Sequence, residues 1–485
     1  MQERGSRDEL GTQRKARKAE GGAGRAKVKW LTLIPGFERD ELARICLYKR
    51  FGEMHQGDPR FREAFKEDPW GALQRHHLAL SRDQAEDLAF WVSNPASPPG
   101  GSEHEIVGLS EKYRKAMRNS TFMEKVEACA NPRYKAWRER QIARINSQMR
   151  KGYSDEIRHI VTAFELTKGC SMHCWFCSLA APRLSGVFSY TRANARLWAD
   201  VLGVVEEILG PAGGAGICYY GTEPMDNPDY EKFCLDFHRQ FGFFPQTTTA
   251  APLRNPDRTR ALNRLAYEKG CMVNRFSVLS LSMLRRIHAT FSPEDLINAY
   301  LFLMYDLHTC GMSRAGRARQ KAENDTELAG RLTAEYSPAC LSGFMFNMVD
   351  CSVRLIAPCP PSEPWPEGQR IFDAATFSSA KDLKSIMLQM IGKHMPLSVP
   401  SSDPVRFRDD LKYKPIPDGF EVATRYMTRT FRGGRSMSLL GEMVQEGART
   451  AGQIAAVLEC CCVPPSTTSE MLDLLLTSAV LDDGT

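Results

Sequence analysis

Phe164-Glu165-Leu166-Thr167-Lys168-Gly169-Cys170-Ser171-Met172-His173-Cys174-Trp175-Phe176-Cys177 is the stretch on which the fold turns. Its cysteines, Cys170, Cys174 and Cys177, follow a C-x3-C-x2-C spacing, with an aromatic after the second. Three thiolates so close can hold three irons of a [4Fe–4S] cube and leave the remaining iron open to a small molecule. A structural zinc site is the competing reading. Zinc wants four ligands, commonly as paired C-x2-C or Cys/His knuckles; His173 is the available fourth, and its position beside Cys174 makes tetrahedral closure awkward.

Outward from the cysteines, strands and helices alternate from about 158 to 360. Ile160 to Phe164 reads as a strand, and 191–209 carries Leu197, Val201, Val204, Val205 and Ile208 at helical spacing. Ile217 to Tyr220 is a short buried strand, a helix follows from about Pro228, and Phe243 to Thr249 and Arg275 to Leu281 are strand-like. This alternation predicts parallel β/α units. Phe344 to Val349 and Val353 to Ile356 read as a late hairpin turning at Asp350-Cys351.

The flanks are helical. Asp58-Pro59 and Asp68-Pro69 read as helix starts with an Asp cap and Pro in the first turn. Ser81 with Gln84 forms a capping box for a helix through Trp91. Past 436, apolar Leu439, Leu440, Met443 and Val444, a start at Thr450 with Gln453, and a third helix over 469–478 predict three short helices. Val480 to Gly484 would be a terminal strand, so the tail reads as winged-helix-like. The expected division is a basic disordered tail 1–27, a helical N-terminal domain 28–93, a linker 94–103, a helical lead-in 104–157, a barrel 158–360, a capping or substrate region 361–435 and the small module 436–485.

Composition excludes little but is consistent throughout. Of 485 residues, 42% are hydrophobic and 25% charged, ordinary for a globular chain. No apolar run approaches a membrane span, and no apolar signal segment follows the basic start, which predicts a cytoplasmic protein without a membrane partner. In that reducing setting the 15 cysteines read as thiols or metal ligands. The net charge of +6 lies largely in Arg14-Lys15-Ala16-Arg17-Lys18, a solvated tail, which argues against a nucleic-acid partner.

With these residues in view, the chain resembles the radical S-adenosylmethionine superfamily. The cysteine spacing matches, and so does Gly221-Thr222-Glu223-Pro224 after its apolar strand, which is similar to the family's Gly-Gly-Glu-Pro segment; Thr222 departs from the second glycine. Further stretches narrow the resemblance: Trp137 to Ile142, Arg275 to Ser280, Gly343 to Met348, and Leu355-Ile356-Ala357-Pro358-Cys359 with Trp365-Pro366. Over roughly residues 50 to 400 these look like the proteusin-type peptide epimerases that mature ribosomally made peptides, with Ser178 where glycine is expected.

The resemblance implies an α/β fold built on a partial (β/α)6 barrel, a [4Fe–4S] cluster on Cys170, Cys174 and Cys177, and S-adenosyl-L-methionine as cofactor. It implies cofactor contacts from Gly221, Thr222, Glu223 and Pro224, from Trp175 and Phe176 near the adenine, and from Ser280 at a strand end. The implied reaction removes a Cα hydrogen from an L-residue with a 5′-deoxyadenosyl radical and returns hydrogen from a thiol on the opposite face, leaving a D-residue. Because barrel chemistry sits at C-terminal strand ends, Cys359 is the first candidate donor and Cys340 the second; Cys351, on a hairpin turn, would point away. The implied partners are a ribosomal precursor peptide, leader plus core, and an electron donor such as flavodoxin or ferredoxin, with the C-terminal module taking the leader as an added strand.

Other readings stand beside this one. Peptide crosslinking through thioether or carbon–carbon bonds would follow if Cys340 and Cys359 served an auxiliary cluster, and RNA modification would use the same radical. Cys460-Cys461-Cys462 read as an incidental run at a helix end. Ser280 has the alternative of capping backbone; for Arg275 and Arg285 a surface ion pair is favoured over a hold on the cofactor carboxylate or the peptide, and His288 reads as a satisfied structural histidine.

Overall fold

The computed structural model describes residues 36–93, 105–117, 125–271, 273–305, 312–333 and 335–483. The expected tail 1–27 and the whole linker 94–103 lie outside them. The chain is mixed α/β, as its alternation predicts. In order, the elements are α1 (Arg39–Gly57), α2 (Pro59–Glu67), α3 (Pro69–Arg75), α4 (Arg82–Ser93), α5 (Glu105–Met117), α6 (Pro132–Gln148), β1 (Ile160–Glu165), β2 (Thr167–Lys168), β3 (Gly186–Val187), α7 (Arg192–Leu209), β4 (Gly216–Ile217), α8 (Tyr230–Phe241), β5 (Thr248–Thr249), α9 (Pro256–Glu268), β6 (Asn274–Val278), α10 (Leu281–Thr290), β7 (Ala299–Leu303), α11 (Gly316–Ala322), α12 (Thr326–Arg331), β8 (Leu341–Asn347), β9 (Ser352–Pro358), β10 (Gln369–Thr376), α13 (Ala380–His394), β11 (Lys412–Ile416), β12 (Gly419–Ala423), β13 (Thr428–Arg432), α14 (Gly434–Glu446), α15 (Ala451–Cys460) and α16 (Pro465–Thr477).

Two compact units result. One joins residues 1–119 to 252–306, the other 120–251 to 307–485. The barrel expected over 158–360 is thus divided between them, the stretch from Pro252 to Asp306 grouping with the N-terminal helices.

In the first unit the caps form as the sequence specifies. Asp58 accepts from Arg60 N–H at 3.0 Å, Asp68 from Gly71 N–H at 2.9 Å, and Ser81 and Gln84 bond reciprocally at 2.9 and 3.2 Å. Phe51, Phe61 and Phe65 are fully buried, and Phe61 and Phe65 stack at 6.0 Å. Parallel β6 and β7 pair from Asn274↔Ala299 to Val278↔Leu303.

The same unit holds two residues whose favoured reading is structural. Arg285 grips Asp58 through two bonds, of 2.7 and 2.9 Å, and His288 Nε2 lies 3.1 Å from Glu53. Both side chains hold the unit together. Burial pushes the Glu53 carboxyl up, but Lys49 and His288 outweigh it and hold it at about 2. A carboxyl held below its unfolded value stabilises above that value and loses the contribution as pH falls. Glu53→Gln is therefore expected to cost at most about 3 kcal/mol near pH 6, with the difference from wild type vanishing between pH 4.5 and about 2. Urea midpoints across that pH range check this.

The second unit is built on a five-stranded sheet of order β10-β9-β8-β1-β4. β1 is buried along its whole length, as a strand covered on both faces must be. It runs parallel to β4, with Thr162↔Gly216, and to β8, with Phe164↔Phe346. Phe164 stacks on Phe346 at 4.7 Å and meets Trp198 of α7 edge-on at 4.9 Å, which seats the helix layer. The predicted hairpin is present, but β9 and β10 are both antiparallel additions, so the strands do not close into one ring among the described residues.

The C-terminal module begins earlier than residue 436. β11, β12 and β13 form an antiparallel sheet whose Phe420 and Phe431 share a core with Leu440, Ile454, Leu458 and Leu475 of the three predicted helices. The expected region 361–435 is therefore two things: β10 and α13 belong with the main sheet, and residues from about 405 belong to the module. The expected terminal strand amounts to one bridge, Phe407↔Leu481.

Candidate functional site: the cysteine loop and its supports

β1 ends at Glu165, and the chain passes into the β2–β3 hairpin, where Thr167 pairs with Val187 and Lys168 with Gly186. Cys170, Cys174 and Cys177 all sit in the long loop of that hairpin, as half-buried free thiols. Two backbone features close its base. Gly169 adopts φ +80°, where a Cβ would lie 2.3 Å from the Arg183 carbonyl, so only glycine fits. Cys170 N–H donates to the Pro182 carbonyl at 2.9 Å.

Two supports hold the loop from different parts of the sequence. Asp226, three residues past Glu223, accepts Ser171 N–H at 2.9 Å and Ser171 Oγ–H at 2.6 Å. The structure thereby brings the Gly221–Pro224 segment against the cysteines. On the other flank Arg317 donates through Nε to the Cys174 carbonyl at 2.9 Å and through a terminal nitrogen to the Ala181 carbonyl at 2.6 Å, while its backbone N–H reaches the Cys177 carbonyl at 2.9 Å.

Glu223 is 3% exposed and accepts from Met225 N–H at 3.1 Å, Ala250 N–H at 2.8 Å and the Thr249 hydroxyl. A carboxylate has about four acceptor positions, so Oε2, which takes only the Ala250 donor, retains room for another. Burial pushes the carboxyl up against these bonds. A second buried carboxylate carries no role in the sequence reading. Glu165 accepts Gly221 N–H at 2.9 Å and the Asn347 amide at 3.0 Å, joining β1, the turn after β4 and the end of β8; burial raises its carboxyl too. Only long-range pairing reveals it: Glu165 and Asn347 are register partners.

The thiols are close enough to sense one another. Burial first, then Cys170 and Cys177, push Cys174 up to about 11, and Arg317 opposes them. Among the described residues no three His, Cys, Asp or Glu side chains converge as a single metal ion requires. The donor set, three half-buried thiols on one loop, fits a group whose irons each take a separate thiolate, and metal sites are commonly completed only on binding.

The remaining expected residues divide. Trp175 is 40% exposed with Lys321 4.5 Å from its ring, whereas Phe176 packs against Met312, Ala318, Ala322, Leu328 and Leu332 as core. Ser280 accepts Met283 N–H at 3.1 Å and caps α10, its backbone alternative. Cys359 is buried and pushed up to about 12, chiefly by that burial. Contrary to the expectation from barrel strand ends, β9 is antiparallel to β8, so Cys359 leaves the sheet at the end opposite the exit of β1. The turn it opens still reaches α11, where Gly316 N–H donates to the Pro366 carbonyl at 2.8 Å. Cys340 precedes β8 at the same end and packs with Tyr219 and Tyr220 on the cluster of Ile160, Ala163, Met345 and Ile356. Cys351, on the hairpin turn at φ +46°, stands at the end where β1 hands over to the cysteine loop. A cavity of ≈ 570 Å³ lies elsewhere, lined by Ile142, Met149, Tyr426 and Met427 among others and by none of these residues.

These features define a mixed α/β protein with a thiol loop clamped beside a buried carboxylate. A protein of Sinorhizobium fredii, described as "Uncharacterized protein y4wI", is 34% identical over 456 residues, covering 90% of this chain and 86% of its own. The chain belongs to the same family as y4wI. No family model matches the chain, and no solved structure matches it.

Proposed function

We propose that this protein is a radical S-adenosylmethionine enzyme that inverts L-residues of a ribosomally made precursor peptide. The observation that carries the reading is the Asp226–Ser171 tie, which joins the turn that follows the Gly-Thr-Glu-Pro segment to the loop beside Cys170. Cys170, Cys174 and Cys177 would hold a [4Fe–4S] cluster, and the spare acceptor position of Glu223, with the backbone of Gly221, Thr222 and Pro224, would take the cofactor's ammonium. When bound, cluster and cofactor supply a 5′-deoxyadenosyl radical able to remove a Cα hydrogen. The exposed ring of Trp175 offers a surface for a planar base. Cys359, whose turn reaches α11, with Cys340 second, would give up the hydrogen atom of its S–H, and the thiyl left behind would regain an electron from the external donor and a proton from solvent.

Parallel β4, β1 and β8 with intervening helices support a partial (β/α)6 barrel, and the three strands and three helices at the C-terminus support a module for the leader. Among the described residues no helix is long and apolar enough to cross a membrane.

The test is anaerobic reaction in heavy water with the precursor peptide encoded beside the gene, followed by chiral amino-acid analysis. Wild type is expected to release 5′-deoxyadenosine and to leave deuterium at each inverted Cα. Cys359→Ala is expected to release 5′-deoxyadenosine without inversion. If Cys340→Ala alone does so, the donor is Cys340. Crosslinked product, or no 5′-deoxyadenosine from loaded wild type, refutes epimerisation.

A further inference from the structure

We infer that Arg317 is a positioning residue for the iron-binding loop, fixing its shape and biasing the charge of whatever the cysteines hold. The inference rests on reading Cys170, Cys174 and Cys177 as cluster ligands. Arg317 lies 140 residues beyond the last cysteine, yet it makes three bonds to the loop's carbonyls, at Cys174, Cys177 and Ala181. Those carbonyls span the second and third cysteines and the return to the hairpin. Two come from the side chain, whose planar fork matches a pair of diverging acceptors as an ammonium cannot.

The approach is unusually close. The preceding residue, Gly316, adopts φ +51°, and a Cβ there would lie 2.3 Å from the Ser178 carbonyl and 2.5 Å from that of Cys177. The glycine lets α11 lie on the loop backbone, and Phe176 anchors in the core behind it, formed with α11 and α12. The guanidinium is half-buried and near enough to oppose the mutual repulsion of the thiols. Charge and hydrogen bonding around the sulfurs are the main protein controls on the potential of an iron–sulfur group. A fixed positive charge favours the reduced, more negative state, so Arg317 holds the potential up while it holds the loop together.

Three variants separate the two effects. Each is reconstituted anaerobically with iron and sulfide, then followed by iron release to a ferrous chelator and by a redox titration read from the electron paramagnetic resonance signal. Arg317→Ala and Arg317→Gln are expected to lose iron several-fold faster than wild type and to titrate at a more negative potential. Arg317→Lys is expected to keep the wild-type potential but still lose iron faster, because it keeps the charge and loses the fork. If wild type takes up no iron, the cluster reading fails and this inference falls with it. If wild type loads and all three variants match it in release and potential, the inference alone is overturned. Faster release in all three variants with one unchanged potential would overturn the electrostatic half.

Discussion

Cys174→Ala, made singly, is expected to reduce the iron retained after anaerobic reconstitution by at least about tenfold, since even an altered outer partner costs a metal site that much. Release of 5′-deoxyadenosine should vanish with the iron. Cys170→Ala and Cys177→Ala should do the same, because each thiolate would hold its own iron and none can stand in for another. The apo-protein should lose no more than about 1 kcal/mol in each case: the loop is shaped by Gly169, Asp226 and Arg317, whose bonds involve backbone atoms and Ser171 rather than cysteine sulfurs. Iron and sulfide content, with thermal melts of the unloaded chains, check both halves. A variant that keeps its iron would show that these thiols do not hold it.

Glu223→Ala is expected to combine a large loss of stability with loss of cofactor cleavage. It strips partners from three donors, Met225 N–H, Ala250 N–H and the Thr249 hydroxyl, around a residue only 3% exposed. Each unmet buried donor costs about 1–3 kcal/mol, and entering water returns part of that, so a total of about 3 kcal/mol follows. Glu223→Gln keeps the volume and one acceptor oxygen but turns an amide N–H toward a donor, and should cost about 1 kcal/mol. A shift in urea midpoint with unchanged slope measures both. Cofactor cleavage should fall in Glu223→Gln by more than its stability loss explains, because the charge that faces an ammonium is gone. Full cleavage by Glu223→Gln would remove Glu223 from the cofactor site and leave it a structural residue.

Some of this was legible residue by residue. Asp58, Asp68, Ser81 with Gln84, and Thr450 with Gln453 all cap helices, since a cap depends on side chain and backbone within about three positions. Phe61 and Phe65, and the buried stripe Val201, Val205 and Ile208, follow from helical spacing for the same local reason. The cysteine motif and the Gly221–Pro224 segment were visible as residue types at fixed intervals, and so was the hairpin at Asp350-Cys351.

The sequence by itself thus determined the alternation of elements, the helix ends, the cysteine loop and the carboxylate to watch. Tertiary structure alone decided that the β8–β9 hairpin lies with β8 parallel beside β1, which puts Cys359 at the far end of the sheet, the extension of the C-terminal module back through β11 to β13, and the pairing of Arg285 with Asp58. It also brought together Glu165 with Asn347 and Arg317 with the cysteine loop. Each of these joins residues more than a hundred positions apart or turns on which strand lies beside which. Periodicity and capping report only on a residue's near neighbours, whereas strand pairing and the donors of a buried carboxylate are set by whichever distant segment the packed core brings alongside.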